Sequence, residues 1–334
     1  MNKRVSTLLS ALLLATTLGW QQPLMNVEAA THNNASQTTK KAAKKHAKAK
    51  KTAKKSTKGK TVKQPANASK HIVLSKASGA MNVRDLGGYV NKNGQKIKAH
   101  RLIRSNKLSG LTKADVNKLT KTYHVKTDVD LRTIIEQKMG PDVKMKGVKL
   151  VKANVFKGFG AYPDFTKKNA GVKMMEKSYH NAVTTAQGRK AYKQLFHQLL
   201  TNPKNKAVLW HCSAGKDRAG MGTVLVLSAL NFDKKTIQQD FMKSNKYLKA
   251  DIQAKHAKAV AVAKDKHYTA TQTKNFLANT DAQNTVRMAY LNTFYKTINT
   301  KYGSMTNFLH KGLGLSNHQL HQLQTNYLTN AKTK

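Results

Sequence analysis

One cysteine, Cys212, stands in a chain of 334 residues. A single thiol closes no internal disulfide, so the fold has to rest on its core alone. Acidic residues are also scarce: 15 Asp and Glu face 61 Lys and Arg, a formal net charge of +46. Long apolar runs are missing as well. Leu8 to Leu18 is apolar but too short to cross a bilayer, and no other segment is apolar enough. Preceded by Met1-Asn2-Lys3-Arg4 and followed by Val27-Glu28-Ala29, it reads as a secretory signal peptide over residues 1–29. An uncleaved anchor is the alternative. The 13 histidines are scattered, and no His/Asp set has metal-ligand spacing along the chain, so neither a metal nor a cofactor is expected.

The excess of positive charge is placed unevenly. From Thr31 to Lys70 there is no acidic residue, and lysines crowd between Lys40 and Lys63 among Ala, Thr and Ser. Like charges at this density repel one another and the stretch has almost nothing apolar to bury, so residues 30–70 are expected to be disordered. On an exported chain such a polycation suits an anionic cell-envelope polymer such as teichoic acid, or a membrane surface. A soluble spacer is the plainer alternative. No aromatic residue is interleaved for base stacking, so no dedicated nucleic-acid partner is expected.

The chemistry gathers in His211-Cys212-Ser213-Ala214-Gly215-Lys216-Asp217-Arg218. Ala207 to Trp210 before it is short, apolar and β-prone; Ala219 to Leu227 after it is apolar and too long for a strand. A loop rising from a strand into a helix N-terminus offers free backbone N–H groups and the positive end of a dipole, which together cradle an oxyanion or a phosphate. The same field favours the thiolate of Cys212. Arg218, six residues on, can return to grip phosphate oxygens as a planar fork. Thiolate, amides and guanidinium together make a phosphoryl-transfer site with a cysteinyl-phosphate intermediate. The bland alternative for Cys212 is a small buried hydrophobe.

His-Cys, five residues, then Arg resembles the signature loop of the cysteine-dependent protein tyrosine phosphatases. Its Gly215-Lys216-Asp217-Arg218 form is similar to the bacterial subgroup with dual specificity towards phosphotyrosine and phosphoinositides, which includes secreted mycobacterial and listerial phosphatases. The resemblance runs from about Met81 to the carboxyl end. It implies Cys212 as nucleophile, with Ser213, Ala214, Gly215, Lys216 and Arg218 on the phosphate and His211 in support. It favours Asp217 as general acid, with Asp164 of the Pro163-Asp164 step as the alternative, and it would send Lys216 to a second phosphate of an inositol headgroup. Arg84 and Asp85, in the block Asn82 to Tyr89, match the subgroup's amino-terminal signature. Asp130, Arg132 and Glu136 match residues that brace the floor of the site, although a buried ion-pair network explains them equally well. One departure is Ala219, where the family has Ser or Thr to steady the departing sulfur; Thr223 or Ser213 could take that part. The expected substrate is a phosphorylated protein or a phosphoinositide. A phosphate-binding module that no longer turns over, and an envelope-binding polycation, are the competing readings.

Strands early, then strand, loop and helix at the motif, then helices, indicate an α/β layered domain over residues 71–334. The resemblance adds a central, mostly parallel sheet flanked by helices. His71 to Leu74 reads as the opening strand. Thr112 and Asp115 read as a capping box. Tyr247 to Lys266 reads as a lysine- and alanine-rich helix that could cover the site, and Thr280-Asp281 as the cap of one long helix from Ala282 to about Tyr302.

Overall fold

The computed structural model describes residues 61–158 and 160–329. The signal-peptide reading and residues 30–60 of the lysine-rich stretch lie outside the described residues. One mixed sheet organises the rest: β1 Lys70–His71, β2 Arg84–Asp85, β3 Leu102–Ser105, β4 Val125–Asp130, β5 Lys149–Lys152 and β6 Ala207–His211. Their order is β1-β2-β3-β6-β4-β5. Strands β3, β6, β4 and β5 run parallel, and β1 and β2 add an antiparallel margin. The protein is therefore α/β, as the sequence pattern indicates, with the mostly parallel sheet that the resemblance implies.

Strand β6 is buried along its whole length, as a strand covered on both faces must be. Val208 and Trp210 enter one hydrophobic cluster, Ala207 and Leu209 the other, which is the period of two of a pleated strand. The larger cluster lies under α3 (Ala170–Thr184), α4 (Ala186–Thr201), α5 (Arg218–Ala229) and α9 (Met288–Tyr302). The smaller lies under α1 (Lys113–Asn117) and the π turn Lys118–Thr122 that continues it. Thr112 and Asp115 cap α1 reciprocally, and Thr133 and Glu136 do the same for α2 (Ile134–Met139). Asp233 caps α6 (Lys234–Tyr247). Ser105 and Asp130 both pair with His211, so β3, β4 and β6 end side by side. The carboxyl ends of neighbouring parallel strands are where open α/β sheets place their ligands.

Two expectations need correction. The stretch assigned to one helix from Ala282 to Tyr302 is two helices, α8 (Ala270–Asn284) and α9, with Thr269 rather than Thr280 as the cap of the first. The break at Thr285 to Arg287 is stabilised from α6: the Asn245 amide donates to the Val286 carbonyl at 2.9 Å and its oxygen accepts from the Val286 N–H at 2.9 Å. This side chain supplies the backbone partners that a continuous helix would have provided. The lysine-rich helix is α7 (Lys249–Asp265); with Ala259 and Ala263 it packs on Phe276 of α8 and on Phe165.

The packed chain also begins before the boundary at 71. Gln64 donates to the Val90 carbonyl at 2.9 Å and to Thr236 Oγ1 at 3.0 Å, and accepts from the Val90 N–H at 2.8 Å. Ala68 and Ser69 are buried. Lysine density hid this short segment, which docks through one amide side chain and two small residues. A chain shortened to start at His71 should therefore melt about 5 °C below one shortened to start at Thr61, the loss expected from one or two buried hydrogen-bonding groups in a domain of this size. Equal melting temperatures by calorimetry would show that the segment contributes nothing.

Candidate active site

Six residues, Cys212 to Asp217, join β6 to α5. The turn requires glycine at one point. Gly215 has φ +68°, and a Cβ there would sit 2.5 Å from the Ser105 carbonyl oxygen. The loop's carbonyls are fastened from outside: Ser213 O accepts from the Lys107 N–H at 3.1 Å, Ala214 O from Asn82 Nδ2 at 3.1 Å, and Gly215 O from Arg104 Nη2 at 2.6 Å. Among the described residues, the amides of Ser213, Ala214, Gly215 and Lys216 donate to no protein acceptor. With its carbonyls tied back, the loop has these N–H groups to offer to an anion.

Cys212 is 2% exposed, and Arg218, the first residue of α5, is 3% exposed. Burial alone fits the bland reading of the thiol, so its neighbours decide. Both Arg104 and Arg218 lie within electrostatic reach of the Cys212 sulfur. Arg218 is locked to Glu136 by a fork, Nη1 to Oε2 at 2.5 Å and Nη2 to Oε1 at 2.8 Å. Ser213 Oγ also donates to Glu136 Oε1. Burial raises the Glu136 carboxyl, but Arg218 and the hydrogen bonds from Ser213 and Thr133 outweigh it and hold the pKa at about 2. A thiol, a guanidinium on a braced carboxylate and a set of unspent amides meet at the end of three parallel strands.

Residues 75–329 match the family described as the tyrosine phosphatase family. The chain belongs to that family. A Cupriavidus necator protein that carries the name of a tyrosine-protein phosphatase is 26% identical over 270 residues, 74% of this chain and 85% of that one. The tyrosine-protein phosphatase of Nostoc commune is 26% identical over 252 residues, 68% of this chain and 74% of its own. The triple specificity protein phosphatase PtpB of Mycobacterium tuberculosis is 31% identical over 125 residues, 36% of this chain and 44% of its own. The protein is thus a tyrosine phosphatase, with phosphorylated molecules as its substrates.

In this phosphatase Asp217 stands at the N-cap position of α5 without a side-chain capping bond, and its carboxylate is held on both oxygens. Tyr179 OH donates to Oδ1 at 2.7 Å and Lys216 Nζ to Oδ2 at 2.6 Å. Lys216 itself is buried, its second bond running to the Gln283 carbonyl at 2.8 Å. Asp164 is placed differently. It is exposed, and its carboxylate accepts from the Thr166 N–H and hydroxyl at 2.9 and 2.6 Å, a turn cap that holds its pKa below the ordinary range. Neither hydroxyl considered as a replacement at position 219 is available. Thr223 Oγ1 donates to the Ala219 carbonyl at 2.9 Å and accepts from Trp210 Nε1 at 3.2 Å, and Ser213 serves Glu136.

The remaining expected residues separate into two groups. Of the floor set, Glu136 alone reaches the loop arginine. Arg132 binds Asp130 through Nε and Nη2 at 2.9 and 2.7 Å and Asp142 through Nη2 at 2.7 Å, a buried ion-pair network below the loop. His211 stands over it, its Nδ1 3.4 Å from the Cys212 carbonyl oxygen. Burial lowers His211, but Asp130, Asp128 and Asp142 reverse this and lift its pKa to about 10. Burial, with Asp142 and Asp130 beside it, lifts Asp128 to about 7. Arg84 sits on the other side of the loop, bonded to Asn82 and, at 3.4 Å, to Asp240. Asp85 serves a turn, accepting from the Gly87 and His100 N–H groups at 2.9 Å each.

Sequence reasoning missed Asp240, Tyr179 and Gln283 as parts of the site. Asp240 binds Arg104 at 2.8 Å, and the ring of Tyr179 lies in the core on the buried face of α3. A helical stripe reports which face is buried and says nothing of where a phenol oxygen ends. Only the acidic Asp240 on the inward face of α6 carried a signal, because a buried carboxylate requires a partner. The Glu136 pair yields a measurable pH signature. Its carboxyl titrates at about 2 folded against an ordinary 4.5, so the pair contributes stability above pH 4.5 that is lost as pH falls towards 2. Glu136→Gln should therefore cost on the order of 3 kcal/mol at neutral pH. The gap to wild type should close in urea melts below about pH 3; a gap that does not vary with pH would contradict the assignment.

Proposed function

We propose that this tyrosine phosphatase hydrolyses phosphomonoesters in two steps through Cys212. The thiolate attacks phosphorus in line, forming S–P while the ester P–O bond breaks, and Asp217 delivers a proton to the departing oxygen. Water then attacks the cysteinyl phosphate, Asp217 takes a proton from it, and the sulfur leaves as thiolate. Throughout, the Ser213 to Lys216 amides and Arg218 hold the equatorial oxygens. The carrying observation is the bidentate lock of Arg218 on Glu136 beside a loop whose carbonyls are tied outward. Asp217 is preferred to Asp164 because its carboxylate lies within the loop, whereas Asp164 faces solvent in a turn.

Phosphotyrosine is the leading substrate, with phosphoserine, phosphothreonine and phosphoinositides next. Two features support that breadth: the Lys216 ammonium, able to leave Asp217 Oδ2 for a second phosphate, and the likeness to a triple specificity enzyme. The amino-terminal pattern of basic, apolar and small residues supports an exported enzyme, and the lysine-rich stretch supports retention on an anionic envelope. Recovery of activity from medium, envelope or cytoplasm decides between these locations.

Cys212→Ser should reduce aryl phosphate hydrolysis to background. Asp217→Asn should lower kcat by about 10²–10⁴ on phosphotyrosine, and by less on an activated aryl phosphate that needs no proton. Rapid-quench capture of a phosphorylated Cys212 checks the intermediate; activity persisting in Cys212→Ser would overturn the mechanism.

The weakened-module reading has one observation in its favour: Ala219 offers no hydroxyl to the departing sulfur, and Thr223 and Ser213 are committed elsewhere. Breakdown of the intermediate should therefore limit turnover, giving a burst of released alcohol. Ala219→Ser should shorten the burst and raise kcat about tenfold, the order expected of one well-placed donor. A steady-state rate indifferent to this change would place the slow step elsewhere.

A further inference from the structure

Near the phosphate loop three side chains converge; Asp142 accepts from the Leu108 N–H at 3.2 Å and from Arg132, but atoms of the other two are left without a partner. Asp128 lies on β4, His211 ends β6, and Asp142 follows α2; they are 14 and 69 residues apart along the chain, so no sequence spacing announces them. His211 Nε2 is 3.2 Å from Asp142 Oδ2 and 3.4 Å from Asp128 Oδ1, and the three ligand atoms all fall within 4.8 Å of one another. Asp128 Oδ1 and His211 Nε2 are both buried and both lack a hydrogen-bond partner, although residues 128 and 211 are only 2% and 0% exposed. Atoms in contact range that are not aligned for hydrogen bonding form the pattern of ligands around a common centre. Zinc–ligand bonds of about 2.0–2.2 Å in a tetrahedron put neighbouring ligand atoms about 3.3–3.6 Å apart, close to the two separations from His211 Nε2.

Charge points the same way. Asp128, Asp130 and Asp142 bring three carboxylates into one buried cluster, and among the described residues Arg132 is the guanidinium bound to it. A cavity of about 410 Å³ reaches the cluster from the surface, lined by Asp128, Asp142, Val143, Lys144, Met145 and Lys146 among others. It gives an ion a path in and room for a water as fourth ligand. Lys144 and Lys146 are exposed at its mouth, where solvent screens them. Asp142 Oδ2 also accepts from Arg132 at 2.7 Å, an orienting contact of the sort that ligating carboxylates carry.

We propose that Asp128, Asp142 and His211 form a binding site for a single divalent cation of the zinc class, distinct from the phosphate loop. The ion takes no part in the phosphoryl transfer. Binding at Nε2 leaves the His211 proton on Nδ1, facing the Cys212 carbonyl oxygen 3.4 Å away, so the site steadies the peptide that carries the nucleophile. Asp128, Asp142 and His211 are therefore positioning residues.

Full-length protein stripped with EDTA and dialysed should be titrated with Co²⁺, reading visible d–d absorption, and with Zn²⁺ by calorimetry. The expected result is one equivalent bound, a four-coordinate cobalt spectrum, and displacement of cobalt by zinc. Asp128→Asn and Asp142→Asn should each weaken binding at least tenfold, and Cys212→Ser should leave the spectrum intact. Circular dichroism in EDTA checks that each variant folds; if Asp142→Asn does not, Asp128→Asn decides. Three outcomes overturn the proposal: no stoichiometric binding by wild type, a thiolate-to-cobalt band that vanishes in Cys212→Ser, or binding unchanged in the folded Asp variants.

Discussion

Burying a guanidinium is unfavourable by several kcal/mol unless a carboxylate meets it with good geometry, and Arg218 is met by Glu136 through both Nη atoms. The position of that carboxylate is itself set locally. Thr133 and Glu136 form the capping box that begins α2, and the Thr133 N–H and hydroxyl donate to Glu136 Oε2 at 2.8 and 2.9 Å. Four residues of helix initiation therefore aim an acid across the sheet's edge at a residue 82 positions later. Arg218 held in this way is already ordered, so binding an anion there would need no further ordering of the guanidinium.

The second constraint lies on the opposite side of the loop. Asp240 is buried between Arg84 and Arg104; burial raises its carboxyl, and the two guanidiniums outweigh it and hold the pKa at about 2. Arg104 spends another N–H on the Gly215 carbonyl, at the one loop position where only glycine fits. Ion pairs of this kind add little net stability over a well-packed apolar equivalent. Their effect here is geometric: Arg104 helps tie the loop's carbonyls outward, which leaves its amides unspent. Stability and function thus draw on the same buried charges, and Trp210, Tyr179 and Tyr192 around them supply the apolar area that makes the burial tolerable.

Much of this was legible along the chain because it is local. Strand β6, the loop and α5 follow from a short β-prone run, a glycine-containing turn and a long apolar run. The capping box at Thr112 is a four-residue pattern; the one at Thr133 has the same form and was not read from the sequence. What was misread depends on distant partners. The break between α8 and α9 exists because Asn245, some forty residues earlier, satisfies both backbone groups of Val286. The docking of residues 61–69 rests on Gln64 finding Val90 and Thr236, inside a stretch whose lysine content argued for disorder.

By itself the sequence determined the fold class, the family resemblance and the strand, loop and helix that carry Cys212 and Arg218, since all of these are written in contiguous residues with strong local preferences. Only the tertiary structure decided which acid locks Arg218, that Asp164 belongs to a turn while Asp217 is held by Tyr179 and Lys216, and that Asp128, Asp142 and His211 meet. The physical reason is that a buried polar group must find its partner wherever the chain brings one, and sequence separation carries no record of that distance.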